Sequence, residues 1–187
     1  MNEMLMEALA VLKAGGVILY PTDTVWGLGC DATNEAAVQK VFAIKKRDLS
    51  KSLVLLASDL DMVARYIKQI PSIAIDLVEV NDAPMTIVYP GAQGLAPSTV
   101  AEDGSVGIRI PMHEFCRELI RRFRRPLVST SANIAGEPTP ARFADIVPEI
   151  RSAVDYVVPR RYEAGATGKP SQIIKLEVDG QVQILRA

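Results

Sequence analysis

Short apolar runs alternate with amphipathic stretches along the whole chain. Residues 2–13 place leucines at helical spacing, and Gly15 follows as a helix C-cap signal. Residues 17–20 are a continuous apolar run, which predicts a buried strand, and Pro21 ends it because proline cannot donate to a central ladder. The polar residues that follow Pro21 are therefore expected just beyond a strand end.

The rest of the chain continues this alternation of elements. Strands are predicted at 53–56, 86–89, 106–110, 127–129, 156–158, 173–176 and 182–185. Helices are predicted from about residue 35 to the K-x-R sequence at 45–47, and within 59–67, 72–80, 114–123 and 143–152. Only 177–181 separates the last two strands, and its Asp179-Gly180 is typical of a hairpin turn, so the sheet should be mixed. We expect one α/β domain spanning residues 1–187, with helices flanking a twisted mixed sheet.

Composition narrows the class of protein and its surroundings. The 187 residues are 49% hydrophobic and 23% charged, which is globular, and no apolar run approaches the roughly 18 residues of a membrane-spanning helix. The net charge of −1 argues against binding nucleic acid through overall positive charge, so an anion site has to be local. The N-terminus lacks the basic start of a secretory signal, and the two cysteines have no CxxC spacing. The expected location is the reducing cytoplasm.

Polar residues cluster where several apolar runs end. The clusters are Thr22-Asp23-Thr24, Lys45 with Arg47 and Lys51, Ser105 with Arg109, and Ser131 with Asn133. Strand ends in α/β folds meet at a common rim, where side chains and loop amides converge on ligands. We therefore expect these clusters to form one pocket for an anionic ligand.

Each cluster also has a structural alternative. Lys45 and Arg47 would offer point-charge and forked donors to a polyphosphate, but cations at a helix C-terminus also favour the helix dipole. Arg109 interrupts an apolar strand, and a buried guanidinium requires either an acidic partner or an anionic ligand. The hydroxyl of Ser131 and the amide of Asn133 suit ribose, phosphate or an amino acid, and they equally suit a turn. It is the combination of clusters that favours a ligand pocket.

Five motifs occur in a fixed order along the chain. They are Y-P-T-D-T-V-W-G-L-G at 20–29, K-x-R at 45–47, V-G-I-R-I-P at 106–111, S-T-S-A-N at 129–133 and G-K-P-S at 168–171. In this order they resemble the YrdC family, whose members are threonylcarbamoyl-AMP synthases, and the resemblance runs from about residue 9 to residue 186. It implies a single-domain member in which a twisted mixed sheet encloses a positively charged cavity.

The resemblance implies a reaction of L-threonine, bicarbonate and ATP that gives threonylcarbamoyl-AMP and pyrophosphate. This is the first stage of making threonylcarbamoyladenosine in tRNA, so proteins that transfer the threonylcarbamoyl group to tRNA are the implied partners. Mg²⁺ is expected to accompany ATP by bridging phosphate oxygens, and no metal ligand is assigned on the chain.

Site residues follow from the resemblance position by position. The ATP contacts are expected from Lys45, Arg47, Ser105, Asn133 and Arg186. The threonine or carbamate contacts are expected from Thr22, Lys51, Arg109, Ser131 and Ser171. No residue is assigned as a nucleophile or general base, because Lys45 and Arg47 are expected to be exposed in the pocket and to act by positioning and charge neutralisation.

His113, Trp26 and the loop 91–103 lie outside these assignments. The only histidine, His113, fits the start of the helix at 114–123 better than a general base. Trp26 stands where the family often has tyrosine, and we expect it to pack in the core. The glycine-containing loop 91–103 is the candidate for a lid over the pocket.

The chain departs from the family pattern at several positions and leaves alternative hypotheses open. Asp48 and Ser52 replace prolines, Gln172 replaces a threonine, and 81–86 differs from the usual aromatic-Pro-Gly-Pro-Leu-Thr run. Gln172 bears on the threonine pocket more than on the ATP site. The main alternative is a non-catalytic RNA-binding module whose basic concavity receives a phosphate backbone. A third, carbamoyl transfer from carbamoyl phosphate, is disfavoured by the short chain, and retention of the K-x-R and S-x-N residues favours the synthase.

Overall fold

The computed structural model describes residues 2–187, and its helices and strands follow the predicted order with one added strand. The helices are α1 (Asn2–Lys13), α2 (Glu35–Lys45), α3 (Leu60–Tyr66), α4 (Ser72–Val80), α5 (Glu114–Phe123) and α6 (Pro148–Ala153). The strands are β1 (Ile18–Tyr20), β2 (Gly27–Gly29), β3 (Val54–Leu56), β4 (Met85–Tyr89), β5 (Val106–Arg109), β6 (Leu127–Ser131), β7 (Tyr156–Val157), β8 (Gln172–Leu176) and β9 (Val182–Arg186). Short 3-10 helices cover Pro97–Thr99, Phe143–Asp145 and Arg160–Tyr162.

All the strands join one mixed sheet, as predicted. Their order across the sheet is β7-β1-β2-β6-β3-β5-β4-β8-β9. The pairs β1 with β7, β3 with β5 and β4 with β8 are parallel, and the other neighbours are antiparallel. The last two strands form the expected hairpin, and Gly180 in its turn has a φ of 87°, a conformation that glycine adopts without strain.

The two faces of the sheet have different roles. Register pairs Leu55 with both Val128 and Ile108, and Ile87 with Ile108, and all four side chains are buried in the hydrophobic core. Their chain neighbours point to the opposite face, because successive side chains alternate along a strand. That second row, listed across β6, β3, β5, β4 and β8, is Ser129, Val54, Gly107, Val88 and Lys175, and every member is only half-buried. The half-buried face is therefore open to a ligand.

Sequence patterns missed β2, ended β6 too early and predicted one helix where the structure has two. Strand β2 is the sequence Gly-Leu-Gly, which has little strand propensity, and it forms because it fits tightly between β1 and β6. A Cβ atom on Gly29 would lie 2.5 Å from Cε1 of Tyr20 and 2.9 Å from the carbonyl oxygen of Val128, so only glycine fits there. Strand β6 continues two residues beyond its predicted end, to Ser131. The helix predicted at 143–152 is divided, because a residue before proline avoids the helical conformation and Val147 precedes Pro148.

The loop 91–103 is fastened to the body of the protein at several points. Its Ala92 and Ala96 amides donate to the carbonyls of Gly104 and Ala32, at 3.0 and 2.9 Å. The Ser98 amide donates to Oε2 of Glu35 in α2 at 3.0 Å, and the Ser98 hydroxyl donates to Oε1 of the same carboxylate. The loop expected as a lid thus includes a 3-10 helix that packs on α2.

The helix ends match their capping signals. Gly15 has a φ of 77° and its amide donates to the Leu12 carbonyl at 3.1 Å, which closes α1 as its sequence predicted. Helix α2 has Asn34 as its N-cap, and the Asn34 side chain accepts a hydrogen bond from the Ala37 amide. The helix ends before Lys46, which is left-handed with φ 49°. None of the helices within residues 2–187 combines the length and apolar character needed to cross a membrane.

Candidate functional site

A cavity of about 230 Å³ opens on the half-buried face of the sheet. Its walls come from the turn after β1 and the start of β2, the segment after α2, and the strands β3, β5 and β6. Thr139, the residues just before β8 and the end of β9 complete it. The lining residues that can donate hydrogen bonds to a ligand include Thr24, Arg47, Ser52, Arg109, Ser129, Thr130, Ser131, Thr139, Ser171 and Arg186. None of the described residues that line it carries a carboxylate. Three guanidinium groups without a competing acid in the lining make the cavity suited to an anion.

A second cavity of about 220 Å³ adjoins the first along the same face. The two share Ser52, Leu53 and Val54, and the second continues over Thr86, Val88 and Gly107 toward Ser105 and Leu185. Its lining is mainly apolar, with Lys175 at one side. Together the cavities form a groove with a cationic end and an apolar end, which is the pattern of a site for a ligand that has both kinds of group.

The sequence-predicted site residues divide into two groups. Arg47, Arg109, Ser131, Ser171 and Arg186 line the first cavity, and Ser105 lines the second. Thr22, Lys45, Lys51 and Asn133 line neither of the two cavities. Six of the ten residues therefore line the groove, four of them from the polar clusters and two, Ser171 and Arg186, assigned through the family resemblance.

Arg109 is held by a buried acidic partner. Its Nη1 donates to Oδ1 of Asp23, and the side chains of the two residues are 4% and 8% exposed. The Nη2 atom donates to the hydroxyl of Thr24 at 3.3 Å, while the second oxygen of Asp23 accepts from the Met112 amide at 3.0 Å. The sequence left an acidic partner and a ligand-facing position as alternatives for Arg109. Both occur, because Arg109 pairs with Asp23 and also lines the cavity.

Thr22 lies in a hydrogen-bonded turn directly before this ion pair. Its hydroxyl donates to the Val25 carbonyl at 2.7 Å and accepts from the Thr24 amide at 3.1 Å. The side chain is 1% exposed. In this structure Thr22 shapes the turn that carries Asp23 and Thr24, which is a common use of threonine in tight turns.

Lys45 is buried, which corrects the expectation that it is an exposed pocket residue. The residue is 1% exposed, and its ammonium donates to the carbonyl oxygens of Ser131 and Asn133, the latter at 2.7 Å. The Oδ1 atom of Asn133 lies 3.4 Å from the same nitrogen. Helix α2 ends at Lys45 and Lys46 is left-handed, so Arg47 lies beyond the helix and reaches the cavity while Lys45 points to the interior. Lys45 thus holds the S-T-S-A-N segment against the end of α2.

Arg47 has unused hydrogen-bonding capacity beside the cavity. Its Nη2 donates to the Ser52 carbonyl at 2.8 Å, but its buried Nε has no hydrogen-bond partner within the described chain. Arg47 joins none of the ion pairs formed among residues 2–187, and burial lowers the pKa of its guanidinium. A partly buried guanidinium with a free donor is the feature of this cavity that most directly calls for an anionic ligand.

The far wall is held together at Ser171, the residue just before β8, which contacts both β9 and β4. Arg186 donates through Nε to the Ser171 carbonyl at 2.8 Å, and the hydroxyls of Ser171 and Thr86 are 2.7 Å apart. Ser105 donates to Oδ1 of Asp103, whose second oxygen binds Lys175 at 2.8 Å. Hydrogen bonds from Lys175 and Ser105 hold the pKa of the Asp103 carboxyl well below its ordinary value. Asp103 therefore remains ionised at neutral pH and orients Ser105.

The remaining predicted residues are accounted for by local structure. The side-chain Nδ2 of Asn133 donates to the Glu137 carbonyl at 2.9 Å. Lys51 is exposed, and its backbone amide donates to the Asp48 carbonyl at 3.1 Å, which closes a turn. Gln172, which replaces the family threonine, is exposed and lines neither cavity. His113 begins α5 as predicted, and its Nε2 pairs with the Tyr162 carbonyl at 2.8 Å.

The contributors to the cavity that sequence reasoning did not assign include Trp26, Ser129, Thr130 and Thr139. Trp26 is 1% exposed and packs on Phe143 with ring centroids 4.9 Å apart, as expected for a core residue, yet one part of it lines the cavity. Ser129, Thr130 and Ser131 all line it, because β6 runs on to Ser131 along the cavity wall. The S-T-S-A-N motif was the available signal for Ser129 and Thr130, whereas Trp26 offered none.

An α/β fold with an arginine-lined cavity on its open sheet face is suited to binding an anionic small molecule. The chain belongs to the Sua5/YciO/YrdC family, whose model, described as Telomere recombination, matches residues 10–187.

Individual relatives agree with this assignment. A Stenotrophomonas maltophilia (strain K279a) protein named threonylcarbamoyl-AMP synthase is 36% identical over 177 residues, which cover 92% of this chain and 94% of that protein. The structure of a two-substitution variant of P. abyssi Sua5 is 26% identical, with a TM-score of 0.87, and covers 97% of this chain. P. abyssi Sua5 complexed with L-threonine is 25% identical, with a TM-score of 0.82, and covers 92%. The chain spans about half the length of these Sua5 chains, 55% and 50%.

Removal of the Asp23 carboxylate should destabilise the fold through Arg109. Asp23→Ala leaves a buried guanidinium without its counter-ion, and we expect a loss of about 3–5 kcal/mol in the free energy of unfolding. Urea unfolding measures this loss. The matched control is Asp145→Ala, since Asp145 pairs with Arg142 at an exposed site, and its loss should be clearly smaller. Equal losses in the two variants would show that the buried Asp23–Arg109 pair contributes no more to the free energy of unfolding than an exposed pair.

Lys45 should give stability a distinctive dependence on pH. Burial, helped by the nearby Arg47 charge, lowers the pKa of its ammonium from 10.5 to about 8. Between these values the folded state binds fewer protons than the unfolded state, so the contribution of Lys45 to stability rises with pH. The free energy of unfolding of the wild type minus that of Lys45→Met should therefore grow from about pH 8 to about pH 10.

Urea unfolding at a series of pH values checks the Lys45 prediction. The control is Lys46→Met, which removes an exposed neighbouring ammonium whose pKa is raised by Glu149 and so should show no such increase. A difference between wild type and Lys45→Met that stays constant over this pH range would contradict the prediction.

Proposed function

We propose that this chain is an L-threonylcarbamoyladenylate synthase, a nucleotidyltransferase that uses L-threonine, bicarbonate and ATP. The observation that carries the proposal is the cavity lined by Arg47, Arg109 and Arg186 with no carboxylate among its described lining residues. Such a lining favours ligands that carry several negative charges, as a nucleoside triphosphate does. The names of the relatives and the threonine complex of Sua5 support this choice of reaction.

ATP is proposed to occupy the side of the groove that joins the two cavities. Arg47, with a free buried Nε, is the main phosphate ligand, and Arg186 provides a second guanidinium. Ser105 would contact the nucleotide from the second cavity. Lys45 and Asn133 remain proposed contributors to this half of the site, and their mutual contacts fix the segment that ends in Asn133.

L-Threonine is proposed to bind toward the turn after β1. Arg109 is oriented by Asp23 and presents its remaining donors to the cavity, where a carboxylate is a suitable partner. The hydroxyls of Ser131 and Ser171 would contact the amino acid or its carbamate. Thr22 would act through the turn that it stabilises, and exposed Lys51 would have to approach from the rim.

The chemistry asks the protein mainly for positioning and charge neutralisation. The threonine amine and bicarbonate form a carbamate with loss of water, and a carbamate oxygen then attacks the α-phosphorus of ATP. The bond from that phosphorus to the bridging oxygen breaks, and pyrophosphate leaves in line. The cationic lining stabilises the charge that accumulates on the phosphate oxygens, so no protein nucleophile is needed.

Mg²⁺ is proposed to arrive as part of the substrate, bound to ATP. No group of three or more His, Cys, Asp or Glu side chains that could hold a metal ion occurs among residues 2–187. Without such a group, the ion would take its ligands from water and from the phosphate oxygens of ATP, as magnesium commonly does. The hydroxyls of the lining would contact the water ligands.

The adenylate product is proposed to pass to proteins that transfer the threonylcarbamoyl group to tRNA in the cytoplasm.

The alternative is RNA binding without catalysis, in which the basic concavity receives a phosphate backbone. The same cavity would serve that function, and the names of the relatives are what favour the synthase. The arginines at 121–125 add little to an RNA surface, because Arg121 and Arg122 both pair with Glu118 and Arg125 pairs with Asp31.

Pyrophosphate release tests the proposed reaction. The purified chain is supplied with ATP and Mg²⁺, and threonine and bicarbonate are each omitted in turn. We expect release only when both are present, because the carbamate is the attacking group. Release with a different amino acid would indicate another substrate, and no release with any amino acid would count against catalysis.

Arg47→Ala should impair use of ATP without unfolding the protein. Loss of charge-assisted hydrogen bonds to phosphate is expected to lower kcat/KM for ATP by about 10- to 100-fold. The matched control is Lys46→Ala, because Lys46 is the exposed neighbouring cation and pairs with Glu149 outside the cavity. Steady-state kinetics of both variants checks the prediction, and a near-normal kcat/KM in Arg47→Ala would remove Arg47 from the ATP site.

A further inference from the structure

The segment 160–170, which we call the strap, runs over the turn that precedes β2. It begins with the 3-10 helix Arg160–Tyr162 and ends at Pro170, which lines the first cavity. Most of its residues are exposed, and two of its glycines, Gly165 and Gly168, have positive φ values of 88° and 69°. The strap therefore has little buried surface of its own to hold it in place.

Three contacts fasten the strap to residues 23–26. The Thr167 amide donates to the Asp23 carbonyl at 2.9 Å, and the Gly168 amide donates to the Thr24 carbonyl at 2.8 Å. The third contact is the only one of the three that uses side chains, from Nε1 of Trp26 to Oε1 of Glu163 at 2.8 Å. Because Thr24 and Trp26 line the cavity, the contacts from Gly168 and Glu163 join the strap to the cavity wall, and the contact from Thr167 joins it to the adjacent Asp23.

The Glu163 carboxylate has a second donor on another segment. Its Oε1 also accepts from the Phe143 amide at 2.6 Å, and the Phe143 ring packs on the Trp26 indole. One oxygen atom thus joins the indole, the strap and the chain that leads into α6. The indole is 1% exposed, so its N–H has no access to water as a substitute acceptor.

We propose that Glu163 is a positioning residue that sets the shape of the anion-binding cavity by fixing Trp26 and the strap. Glu163 does not line either cavity of the groove, so it acts through other residues and does not contact the ligand. Without its carboxylate oxygen the indole N–H loses its acceptor and the strap loses its side-chain contact with Trp26, while Tyr162 at the start of the strap keeps its contacts with Phe115 and His113. The wall made by Trp26 and Pro170 then loosens, and the ligand is held less well. The kinetic part of this inference rests on the proposed synthase function, whereas the geometric part does not.

Trp26 provides a direct optical test because it is the only tryptophan in the chain. Acrylamide quenching of its fluorescence is measured for wild type, Glu163→Ala and Glu163→Gln in the absence of ligand. We expect the quenching constant to rise at least twofold in Glu163→Ala, as the indole becomes accessible. It should stay near the wild-type value in Glu163→Gln, because the amide oxygen still accepts from both N–H donors.

The control for this series is Glu149→Ala. Glu149 is an exposed glutamate that pairs only with Lys46 at the surface and has no contact with Trp26. Its quenching constant should equal that of the wild type. An unchanged quenching constant in Glu163→Ala, in a protein that circular dichroism shows to be folded, would overturn the proposal.

Kinetics separates positioning from a purely structural role. At a temperature where all variants are folded, Glu163→Ala should raise KM for ATP or threonine by about tenfold and change kcat much less, with Glu163→Gln close to wild type. In a Trp26→Phe background, Glu163→Ala should have a much smaller effect, since the indole donor is already gone. A lower melting temperature with unchanged KM, or fully additive effects in the double variant, would refute the positioning role.

Failure of this inference can be told apart from failure of the proposed function. If the wild type releases no pyrophosphate, the synthase proposal fails, and quenching still decides whether Glu163 fixes Trp26. Hydrogen exchange of residues 160–170 provides a second readout that needs no substrate. Faster exchange of the Thr167 and Gly168 amides in Glu163→Ala than in Glu163→Gln supports the inference, and equal exchange rejects it.

Discussion

The buried ion pair between Asp23 and Arg109 is the interaction on which the site depends. It joins the turn after β1 to the end of β5, and through the Met112 amide it also fixes the start of the segment that leads into α5. Because removing two charges from water is costly, the pair is stable only when the surrounding hydrogen bonds are complete. The turn, β5 and the approach to α5 therefore have to assemble together, and their assembly directs Arg109 into the cavity.

Around this pair, side chains that do not line the groove hold the residues that do. Lys45 binds the backbone of the S-T-S-A-N segment, Asp103 holds Ser105, and Glu163 holds Trp26. None of these three supporting groups lines the first cavity. A second layer of this kind keeps the lining in place before a ligand arrives, so less conformational freedom is lost on binding.

Much of the fold followed from sequence because periodicity reports which face of an element is buried. The mixed sheet came from the apolar runs and the Asp179-Gly180 turn, whereas β2 was missed because close packing against Tyr20 and Val128, and not propensity, makes it a strand. For the site, Arg109 was recognised as a charge that needs a partner. Its partner lies 86 positions earlier in the chain, and no local pattern identifies it. Lys45 was assigned the wrong exposure because K-x-R spacing does not say which cation turns inward.

The alternation of residues along β3, β4 and β5 separates two properties that often conflict in proteins. Leu55, Ile87 and Ile108 belong to the core, while their neighbours Val54, Val88 and Gly107 belong to the groove. Sequence change at the groove positions can alter which molecule fits without disturbing the apolar packing one residue away. The sheet is in this sense a scaffold on which descendants of one ancestor can acquire different ligand preferences by small steps while they remain folded throughout.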